Sequence, residues 1–421
     1  MPLSVRGLTI PLLDDLPPCR RVIVRIDVNS PIDPGTGEIL DATRFRAHRE
    51  TLRELAERAA VVAISHQGRP GEQDFTTLER HARVLEEATG LPVEYVDDVI
   101  GPEALRRIRG HRPGGILLLD NSRLVSEDFV EAPAEVHARG IMVSRLAPLF
   151  DCYVNDAFSV SHRSQASVVG FPLRLPSAAG RLMERELRAL ARVLEGGGRP
   201  RVYVIGGSKI RDMVAVIEHA LAKGAADKIL TTGLTALLFL QAKGYDVGGA
   251  RSALERKGAM ALLGRASRLV REYGDSLMVP LDFLVETEDG EVRVEDAGEI
   301  RGAPKDIGPK TVEAYTEALR GAAVVVMKGP AGVIEDPRFR GGTIALVRAA
   351  LESGAYTLFG GGHFNVIISE LPEELRGRVG HISTAGGALV YMLAGRSLPG
   401  LEALARSALS RGEARSGRGG G

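Results

Sequence analysis

Short apolar, β-branched runs alternate with amphipathic helical stretches along almost the whole chain. In the first half, the strand-like runs are residues 22–28, 61–65, 93–96, 116–119 and 152–154, and helical periodicity covers 44–58, 77–89 and 136–149. In the second half, the strand-like runs are 202–205, 228–231, 276–279, 323–327 and 356–359, and helical periodicity covers 211–222, 235–242, 310–319 and 343–351. Continuously apolar strands separated by helices predict parallel sheets covered on both faces. The pattern therefore predicts an α/β protein with two doubly wound, Rossmann-like parallel-sheet domains.

A helical run at residues 180–194, followed by the glycine-rich breaker at 196–200, marks the predicted join between the two domains. A helix at this place would transmit a hinge motion, and the glycines after it would absorb the motion. An ordinary crossover helix inside one domain is the alternative, and the sequence does not separate the two. The chain of 421 residues is also longer than one ordinary core.

Composition narrows the classes of partner. The chain has 54 basic and 54 acidic residues, and this balance gives no reason to expect nucleic acid or an anionic membrane as a partner. Cys19 and Cys152 lie far apart and in no metal-binding spacing, which argues against a disulfide scaffold or a zinc site. No run reaches transmembrane length, and the N-terminus lacks a signal-peptide pattern. We therefore expect a cytoplasmic protein.

Basic side chains follow most of the predicted strands of the first half. They are Arg25 and then Arg44 after the first strand, His66 and Arg69 after the second, Arg123 after the fourth, and His162 and Arg163 after the fifth. Ligands of open parallel sheets bind beyond the carboxyl ends of the strands, so these groups should converge on one ligand. Guanidinium groups suit a small molecule that carries phosphate and carboxylate. For any single residue a solvated or ion-paired role is the alternative, and Asp27 has a capping or ion-pair role as its alternative.

Glycine-rich turns follow the strands of the second half. In the first of them, Gly206-Gly207-Ser208-Lys209 leads from a strand into a helix, an arrangement that offers backbone N–H groups and a positive charge to an anion. Similar turns lie at residues 328–332, 360–363 and 383–387. A lone double glycine can be an ordinary turn, but four such turns favour binding of a polyphosphate. Neither GxxxxGK[ST] nor GxGxxG is present, which argues against a nicotinamide oxidoreductase.

These motifs together resemble those of the phosphoglycerate kinase family. The matching segments, in order between residues 22 and 400, are RIDVNSPID, SHQGRP, NDAFSVSHRSQASVVGF, GGSKIRD, DIGPKT, GPAGVIED, FGGGH and HISTAGGA. The resemblance implies two domains with a hinge and an interdomain cleft. Residues 1–178, with the segment 399–421 returning to them, would bind 3-phosphoglycerate or 1,3-bisphosphoglycerate. Residues 179–398, which begin with the interdomain helix, would bind ADP or ATP with Mg²⁺.

The resemblance also implies a reaction and the residues that serve it. The reaction is reversible phosphoryl transfer between 1,3-bisphosphoglycerate and ADP in glycolysis and gluconeogenesis, with hinge closure and electrostatic stabilisation of the transition state. The implied substrate-binding residues are Asp27, Val28, Asn29, Arg44, His66, Gln67, Gly68, Arg69, Arg123 and Arg163. The implied nucleotide-binding residues are Gly206, Lys209, Lys328, Glu335, Gly361, Gly362, His363 and Phe364. The implied catalytic contacts come from Arg44, Lys209, Gly362 and Gly387, with Gly386 beside the last.

All departures from the family pattern lie on the nucleotide side. Met213 stands where the family usually has a second Lys, Lys328 where it has Asn, His363-Phe364 where it has Asp-Thr, and Ala385 where it has Gly. We hypothesise that Lys328 supplies the positive charge lost at Met213, with sequence drift and a solvated Lys328 as the alternative. The metal ligands are unknown, because Mg²⁺ prefers oxygen to the nitrogen of His363.

Two further points stay open from the sequence. An inactive relative that only binds phosphoglycerate is the alternative function, and the nucleotide-side departures are its only support. We expect a monomer or a small homo-oligomer.

Overall fold

A computed structural model describes residues 1–416 of the chain, and these residues form two compact units. The first unit is Met1–Ala191 together with the segment that begins at Ser397, and the second is Arg192–Arg396. Each unit contains one six-stranded sheet in which all neighbouring strands are parallel. The predicted α/β class with two parallel sheets is therefore confirmed.

The first unit begins with an antiparallel pair of short strands and continues with alternating strands and helices. Its strands are β1 (Leu3–Val5), β2 (Leu8–Ile10), β3 (Arg21–Arg25), β4 (Ala60–Ile64), β5 (Val93–Val96), β6 (Ile116–Leu119), β7 (Cys152–Asn155) and β8 (Ser177–Ala179). Its helices are α1 (Thr43–Ala47), α2 (Arg49–Ala56), α3 (Glu79–Thr89), α4 (Pro102–Gly110), α5 (Ala134–Arg139), α6 (Ile141–Leu146) and α7 (Arg181–Leu194). The sheet order is β5-β6-β4-β3-β7-β8, which puts β3 and β4 at the centre, where both faces are buried.

The predicted first strand is too long, because the ladder ends at Arg25 and not at Val28. The N–H of Ile26 still donates to the Ile64 carbonyl, and from Asp27 onward side chains are the acceptors: His48 accepts from Asp27, and the Ser65 hydroxyl accepts from Val28. His48 also separates α1 from α2, so the predicted helix 44–58 is two helices.

The predicted helix 136–149 is likewise divided, here at Gly140. The carboxylate of Glu127 accepts from the N–H groups of Ile141 and Met142 and so starts a new helix, α6. A Cβ at Gly140 would lie 2.7 Å from the Glu127 carboxylate, so the break needs glycine.

The second unit repeats the alternation and adds a small antiparallel sheet. Its strands are β9 (Arg201–Ile205), β10 (Lys228–Thr231), β11 (Leu277–Met278), β12 (Asp282–Glu286), β13 (Val292–Asp296), β14 (Ala303–Ile307), β15 (Val324–Lys328), β16 (Tyr356–Gly360) and β17 (His381–Ser383). Its helices are α8 (Ile210–Ala222), α9 (Gly233–Ala242), α10 (Arg251–Arg256), α11 (Leu263–Tyr273), α12 (Pro309–Leu319), α13 (Gly341–Glu352), α14 (Gly362–Ser369), α15 (Glu373–Arg376) and α16 (Gly387–Leu393). The large sheet has the order β11-β10-β9-β15-β16-β17, and β12 to β14 form the small sheet, which the hydrophobic pattern did not predict.

The last helix, α17 (Pro399–Ser416), follows the return of the chain to the first unit. It contacts β2 and β8 of that unit, and the N–H of Gly400 donates to the Ser161 carbonyl at 2.9 Å. Among residues 1–416, no helix is both long enough and apolar enough to cross a membrane.

Cys19 and Cys152 are joined by a disulfide, and our expectation that the cysteines would not form such a link is wrong. The two are separated by 133 positions in sequence, but parallel pairing of β3 with β7 sets Val22 beside Cys152 and so brings Cys19 to the same end of the sheet. Asp151 strengthens this junction by accepting from the N–H groups of Arg20 and Arg21 at 2.8 and 2.9 Å. Spacing along the chain could not reveal the pair, because the strand register creates it.

We predict that Cys19→Ser lowers the free energy of unfolding by about 2–4 kcal/mol, because the unfolded chain then regains the entropy of a long closed loop. Denaturant titration of oxidised protein by circular dichroism would measure the difference. The matched control is the reductant: it should destabilise the wild type to the level of the variant and leave the variant unchanged. Two titratable thiols in the unreduced, unfolded wild type would contradict the prediction.

Candidate active site

The loop after β3 carries a buried carboxylate that is held from three sides. The Asp27 carboxylate accepts hydrogen bonds from Arg44 and from the Ser159 hydroxyl, and it accepts the N–H of Asn29 at 3.0 Å. Burial raises the pKa of Asp27, but the charge of Arg44, together with the hydrogen bond from Ser159, outweighs burial, so the pKa lies well below its usual value. Asp27 is therefore ionised and orients Arg44. The ion-pair alternative and the substrate-contact prediction are compatible, since Arg44 remains partly exposed.

His66 follows β4 and is held from below by a buried arginine. The Arg25 side chain is fully buried, and its Nη2 lies 2.7 Å from Nδ1 of His66. A guanidinium can only donate, so Nδ1 accepts and the imidazole proton is on Nε2. Burial, with Arg25 as the next cause, places the pKa of His66 well below its usual value. The Nε2 atom is buried and has no hydrogen-bond partner among the described residues, so it is a neutral donor left for a ligand.

Two further guanidinium groups lie close together beside His66. The Arg123 Nη1 donates to the Gly68 carbonyl, while Nε and Nη2 of Arg123 are buried and have no partner within residues 1–416. Burial and the charge of Arg163 lower the pKa of Arg123 to about 10, and burial and the charge of Arg69 lower the pKa of Arg163. The positive charges of Arg123 and Arg163 repel each other. An oxyanion that accepted hydrogen bonds from the free N–H groups of Arg123 would relieve this repulsion.

The backbone of this first-unit site is fixed by amide side chains. Asn29 Oδ1 accepts the N–H of Gly68 at 3.0 Å, and the Gln67 amide both accepts from and donates to the backbone of Ser30. Gly68 has φ +61°, and a Cβ there would lie 2.6 Å from the backbone of Asp74, so the close turn needs glycine. Nine of the ten predicted substrate-binding residues thus follow the carboxyl ends of β3, β4, β6 and β7, and the tenth, Arg44, lies on α1, from which it reaches Asp27.

The second unit has a cavity of about 770 Å³ at the carboxyl edge of its large sheet. The glycine turns after β9, β15 and β16 line it, as do Gly386 and Gly387 at the start of α16. These turns approach one another too closely for side chains: a Cβ at Gly206 would lie 2.0 Å from Thr232 Oγ1, and one at Gly329 would lie 2.2 Å from the Gly206 carbonyl. The packing therefore lines an open space of nucleotide size with glycine backbone.

Two of the lysines that line this cavity, Lys209 and Lys328, lie beside its glycine turns. Lys209 is the residue before α8, and Lys328 ends β15, where it is paired in register with Ile205 on one side and Gly360 on the other. The Lys328 Nζ donates to the Gly360 carbonyl at 3.0 Å. Burial and the charge of Lys209 lower the pKa of Lys328 to about 8. Lys328 is thus partly buried at the site and is not a solvated surface lysine, whereas Met213 is buried in α8.

The cavity contains few carboxylates. Glu335 and His363 are both exposed and lie 3.5 Å apart. Asp306 accepts the N–H groups of Gly342 and Ile307, and burial raises its pKa to about 6. Among the side chains that the structure describes, those of residues 1–407, no three from His, Cys, Asp or Glu are grouped as a metal site.

Of the predicted nucleotide-side residues, Phe364 alone does not line the cavity. Its side chain is fully buried and packs on Phe359 in the core. Sequence reasoning also missed His48, Asp156 and Ser159, which surround Asp27 and its loop. Asp156 and Ser159 lie inside the NDAFSVSH motif, and His48 follows Arg44 by one helical turn. These positions in the sequence were the only sign that the three residues belong to the site.

Known proteins match this arrangement over nearly the whole chain. The family model for "Phosphoglycerate kinase" matches residues 15–396. The chain is 55% identical over 412 residues to the phosphoglycerate kinase of Aeropyrum pernix, covering 97% of this chain and 99% of that one. It is 46% identical over 412 residues to that of Saccharolobus solfataricus, covering 96% and 99%. The crystal structure of phosphoglycerate kinase from Pyrococcus horikoshii has a TM-score of 0.87 at 36% identity and covers 94% of this chain and 99% of that one.

The chain belongs to the phosphoglycerate kinase family, and the resemblance inferred from its motifs is confirmed. It is accordingly a kinase, a nucleotide-using transferase of glycolysis.

We predict that the imidazole of His66 stays neutral, with its proton on Nε2, when the pH of the unliganded protein falls through 6.5. The cause is the burial and the Arg25 charge described above. Nitrogen-15 NMR of histidine-labelled protein, with the signal assigned by its loss in His66→Asn, would measure this. A signal from His66 that titrates at or above pH 6.5 would show that Arg25 does not hold the ring neutral.

Proposed function

We propose that the first unit binds 3-phosphoglycerate or 1,3-bisphosphoglycerate, that the second binds ADP or ATP, and that the chain transfers the acyl phosphate reversibly between them. The observation that supports this proposal is that each unit has a site suited to an anion. One has free guanidinium and imidazole donors, and the other has glycine turns with two lysines. Both sites present positive charge to an anion.

The first-unit site suits a small phosphorylated carboxylic acid. The free donors of His66 and Arg123 are fixed in direction, and Arg69 and Arg163 add charge beside them. Planar guanidinium groups bind phosphate or carboxylate through two oxygens at once. Asp27 and Asn29, on the adjoining loop, would accept from a substrate hydroxyl. We therefore assign this end of the sheet to the phosphoglycerate.

The second-unit cavity suits a nucleotide. Gly361 and Gly362 lead into α14, whose first N–H groups would meet phosphate oxygens, and Gly387 opens α16 at the same cavity. Helix N-termini and glycine turns favour anions in this way. Glu335, exposed at the cavity, would accept from the ribose hydroxyls. Phe364 would lie along the nucleotide phosphates only through its backbone, since its side chain packs in the core.

The chemistry needs charge and position more than a reactive side chain. As the phosphoryl group passes between the acyl oxygen and ADP, its three equatorial oxygens carry spread negative charge. Arg44 from the phosphoglycerate side and Lys209 from the nucleotide side would stabilise that charge, with the N–H groups of Gly362 and Gly387. Because different units bind the two ligands, we propose that a hinge movement aligns them and excludes water, which protects the acyl phosphate from hydrolysis.

Magnesium is the metal we propose, brought in by the nucleotide. Mg²⁺ takes oxygen ligands, retains several waters and is commonly held by phosphates and one or two carboxylates. The cavity fits that use and not a cage of protein ligands. Asp306 is occupied by backbone N–H groups, whereas Asp212 lines the cavity close enough to Lys328 to raise the pKa of that lysine. We therefore expect Asp212 to be the carboxylate near the Mg²⁺ ion. The ion would neutralise part of the phosphate charge.

The remaining assignments are proposals of the same kind. We place the phosphoglycerate domain at residues 1–178 with 399–421 and the nucleotide domain at 179–398, which assigns all of α7 to the latter. The division by contacts instead passes through α7, after Ala191.

The substrates belong to central metabolism, so we propose a cytoplasmic enzyme that also serves gluconeogenesis, as a monomer or small homo-oligomer. No observed geometry favours an inactive relative, since Arg44, Lys209 and Glu335 are all in place.

We predict that Lys209→Ala lowers kcat for 3-phosphoglycerate with Mg-ATP by about 10²–10³-fold, as loss of one preorganised transition-state donor does. Turnover coupled to reduction of the product would measure it. Lys223→Ala, which removes an exposed lysine just after α8, is the matched control and should behave as the wild type. A wild type that binds phosphoglycerate without turnover would favour the inactive alternative, and an unaffected Lys209→Ala would refute the role of the lysine.

We predict that Lys328 contributes charge to ADP binding and that the contribution is lost as pH rises through about 8. The protonated lysine attracts phosphate, so affinity is full below its pKa and falls above it. Calorimetric titration with Mg-ADP between pH 6.5 and 9.5 should show this fall in the wild type. Lys328→Arg should flatten the pH profile, and Lys328→Met should weaken binding about tenfold at pH 7. Equal affinities of wild type and Lys328→Met would leave drift as the explanation.

A further inference from the structure

We propose that His48 and Asp156 are positioning residues that hold Asp27, and through it Arg44, in the phosphoglycerate site. The inference rests on the proposed roles of Asp27 and Arg44. It adds two residues that the motif comparison did not assign, and it links the substrate site to the start of α7.

The two residues form a continuous chain of hydrogen bonds beneath the substrate loop. His48 Nε2 lies 2.9 Å from the backbone N of Asp27, and His48 Nδ1 lies 2.7 Å from Asp156 Oδ2. The second carboxylate oxygen, Oδ1, accepts the N–H of Leu182 at 2.9 Å and that of Met183 at 3.4 Å. The side chains of His48 and Asp156 are 1% and 0% exposed. Water therefore cannot substitute for a missing partner.

The directions of these bonds follow from the chemistry of the groups. A backbone N–H can only donate, so Nε2 of His48 must be an unprotonated acceptor toward Asp27. The imidazole proton is then on Nδ1 and is donated to Asp156. The carboxylate therefore selects the tautomer that can bind the substrate loop. A neighbouring carboxylate commonly determines which ring nitrogen of a histidine is protonated.

His48 acts on Asp27 and Arg44 from one place in the chain. It lies directly after α1, one turn beyond Arg44, and it precedes α2. Arg44 donates to the side chain of Asp27 while His48 accepts from its backbone. The loop and the helix that presents Arg44 are thus fixed to each other at two points.

The far end of this chain is the first turn of α7. Two N–H groups of this turn donate to Asp156, as described above. In addition, the N–H of Arg181 donates to Thr51 Oγ1 of α2 at 2.8 Å, and Arg181 Nε donates to Glu54 of α2 at 2.8 Å. A Cβ at Gly180 would lie 2.2 Å from Asp156 Oδ1, so α7 begins against the carboxylate. The position of Arg44 therefore depends on how α7 begins.

Asp156→Asn tests the relay with little change of shape. Asparagine has one acceptor oxygen where Asp156 uses two, and the two helix N–H groups hold that oxygen on the α7 side. Its NH₂ group then faces Nδ1 of His48, which must give up its proton to accept. The proton moves to Nε2 and meets the N–H of Asp27. We expect the Kd of 3-phosphoglycerate, by calorimetry, to rise about tenfold, and the Kd of Mg-ADP to stay unchanged.

Two measurements keep this test specific. Asp98→Asn is the matched control, since Asp98 also accepts helix N–H groups in the first unit, those of Gly101 and Ala104. It should leave the Kd unchanged. Nitrogen-15 NMR of labelled histidine, assigned by His48→Gln, should show an unprotonated Nε2 at position 48 in the wild type and a protonated Nε2 in Asp156→Asn. A merely structural cap would not change the tautomer.

A second pair of variants decides the matter if Asp156→Asn does not fold. In His48→Gln the side-chain oxygen takes the place of Nε2 and still accepts from Asp27, so 3-phosphoglycerate should bind as to the wild type. In His48→Asn the shorter side chain replaces only the Nδ1 position, so the N–H of Asp27 loses its acceptor. Binding of 3-phosphoglycerate should then weaken about tenfold.

Three results would overturn the proposal. They are a wild-type ring protonated on Nε2, a changed tautomer in Asp156→Asn with no change of Kd, and equal binding by His48→Asn and His48→Gln. Failure of the site assignment itself would appear differently. Asp27→Asn would then bind 3-phosphoglycerate as tightly as the wild type, while the tautomer measurement still reported on the relay.

Discussion

Positive charges held close together at the carboxyl ends of parallel strands repel one another, and the design of both units follows from that repulsion. Arg25, Arg123 and Arg163 lie together in the first unit, and Lys209 lies near Lys328 in the second. Burial and the neighbouring charges destabilise the charged forms of Arg123, Arg163 and Lys328, as their lowered pKa values show. The scaffold must therefore keep them in place until an oxyanion neutralises them.

The scaffold does so with bonds that hold the backbone and leave donors free. Amide side chains such as those of Asn29 and Gln67 form hydrogen bonds with the backbone of the loops. These bonds do not use the N–H groups of the guanidinium side chains. In the second unit, glycines at Gly206 and Gly329 let two turns pack directly on each other. Both devices stiffen loops that would otherwise move apart under like-charge repulsion. Preorganisation of this kind is what makes electrostatic catalysis effective.

Periodicity predicted most strands and helices of both sheets, because buried parallel strands and amphipathic helices carry their pattern locally. It failed where a distant group decides the structure. Pairing of the first strand stops before Asp27 because His48 and Ser65 accept the N–H groups of Asp27 and Val28, and Cys19 meets Cys152 only through strand register. The motifs predicted substrate-binding residues that the fold brings to one end of the first sheet, since the ends of parallel strands converge. They could not show that Phe364 faces the core, nor which imidazole nitrogen of His66 is free, because both depend on packing.

The link between Cys19 and Cys152 also changes what a broken backbone would mean for this protein. The closed ring contains β3, β4, β5 and β6, and with them the loops that carry Asp27, His66 and Arg123. Loop tips are where proteases usually cut. A single cut inside the ring leaves one covalent molecule whose fragments cannot diffuse apart, so the fragments can re-form the sheet without a bimolecular encounter. The loops that carry Asp27, His66 and Arg123 are thus protected against dissociation after cleavage for as long as the surroundings keep the cysteines oxidised.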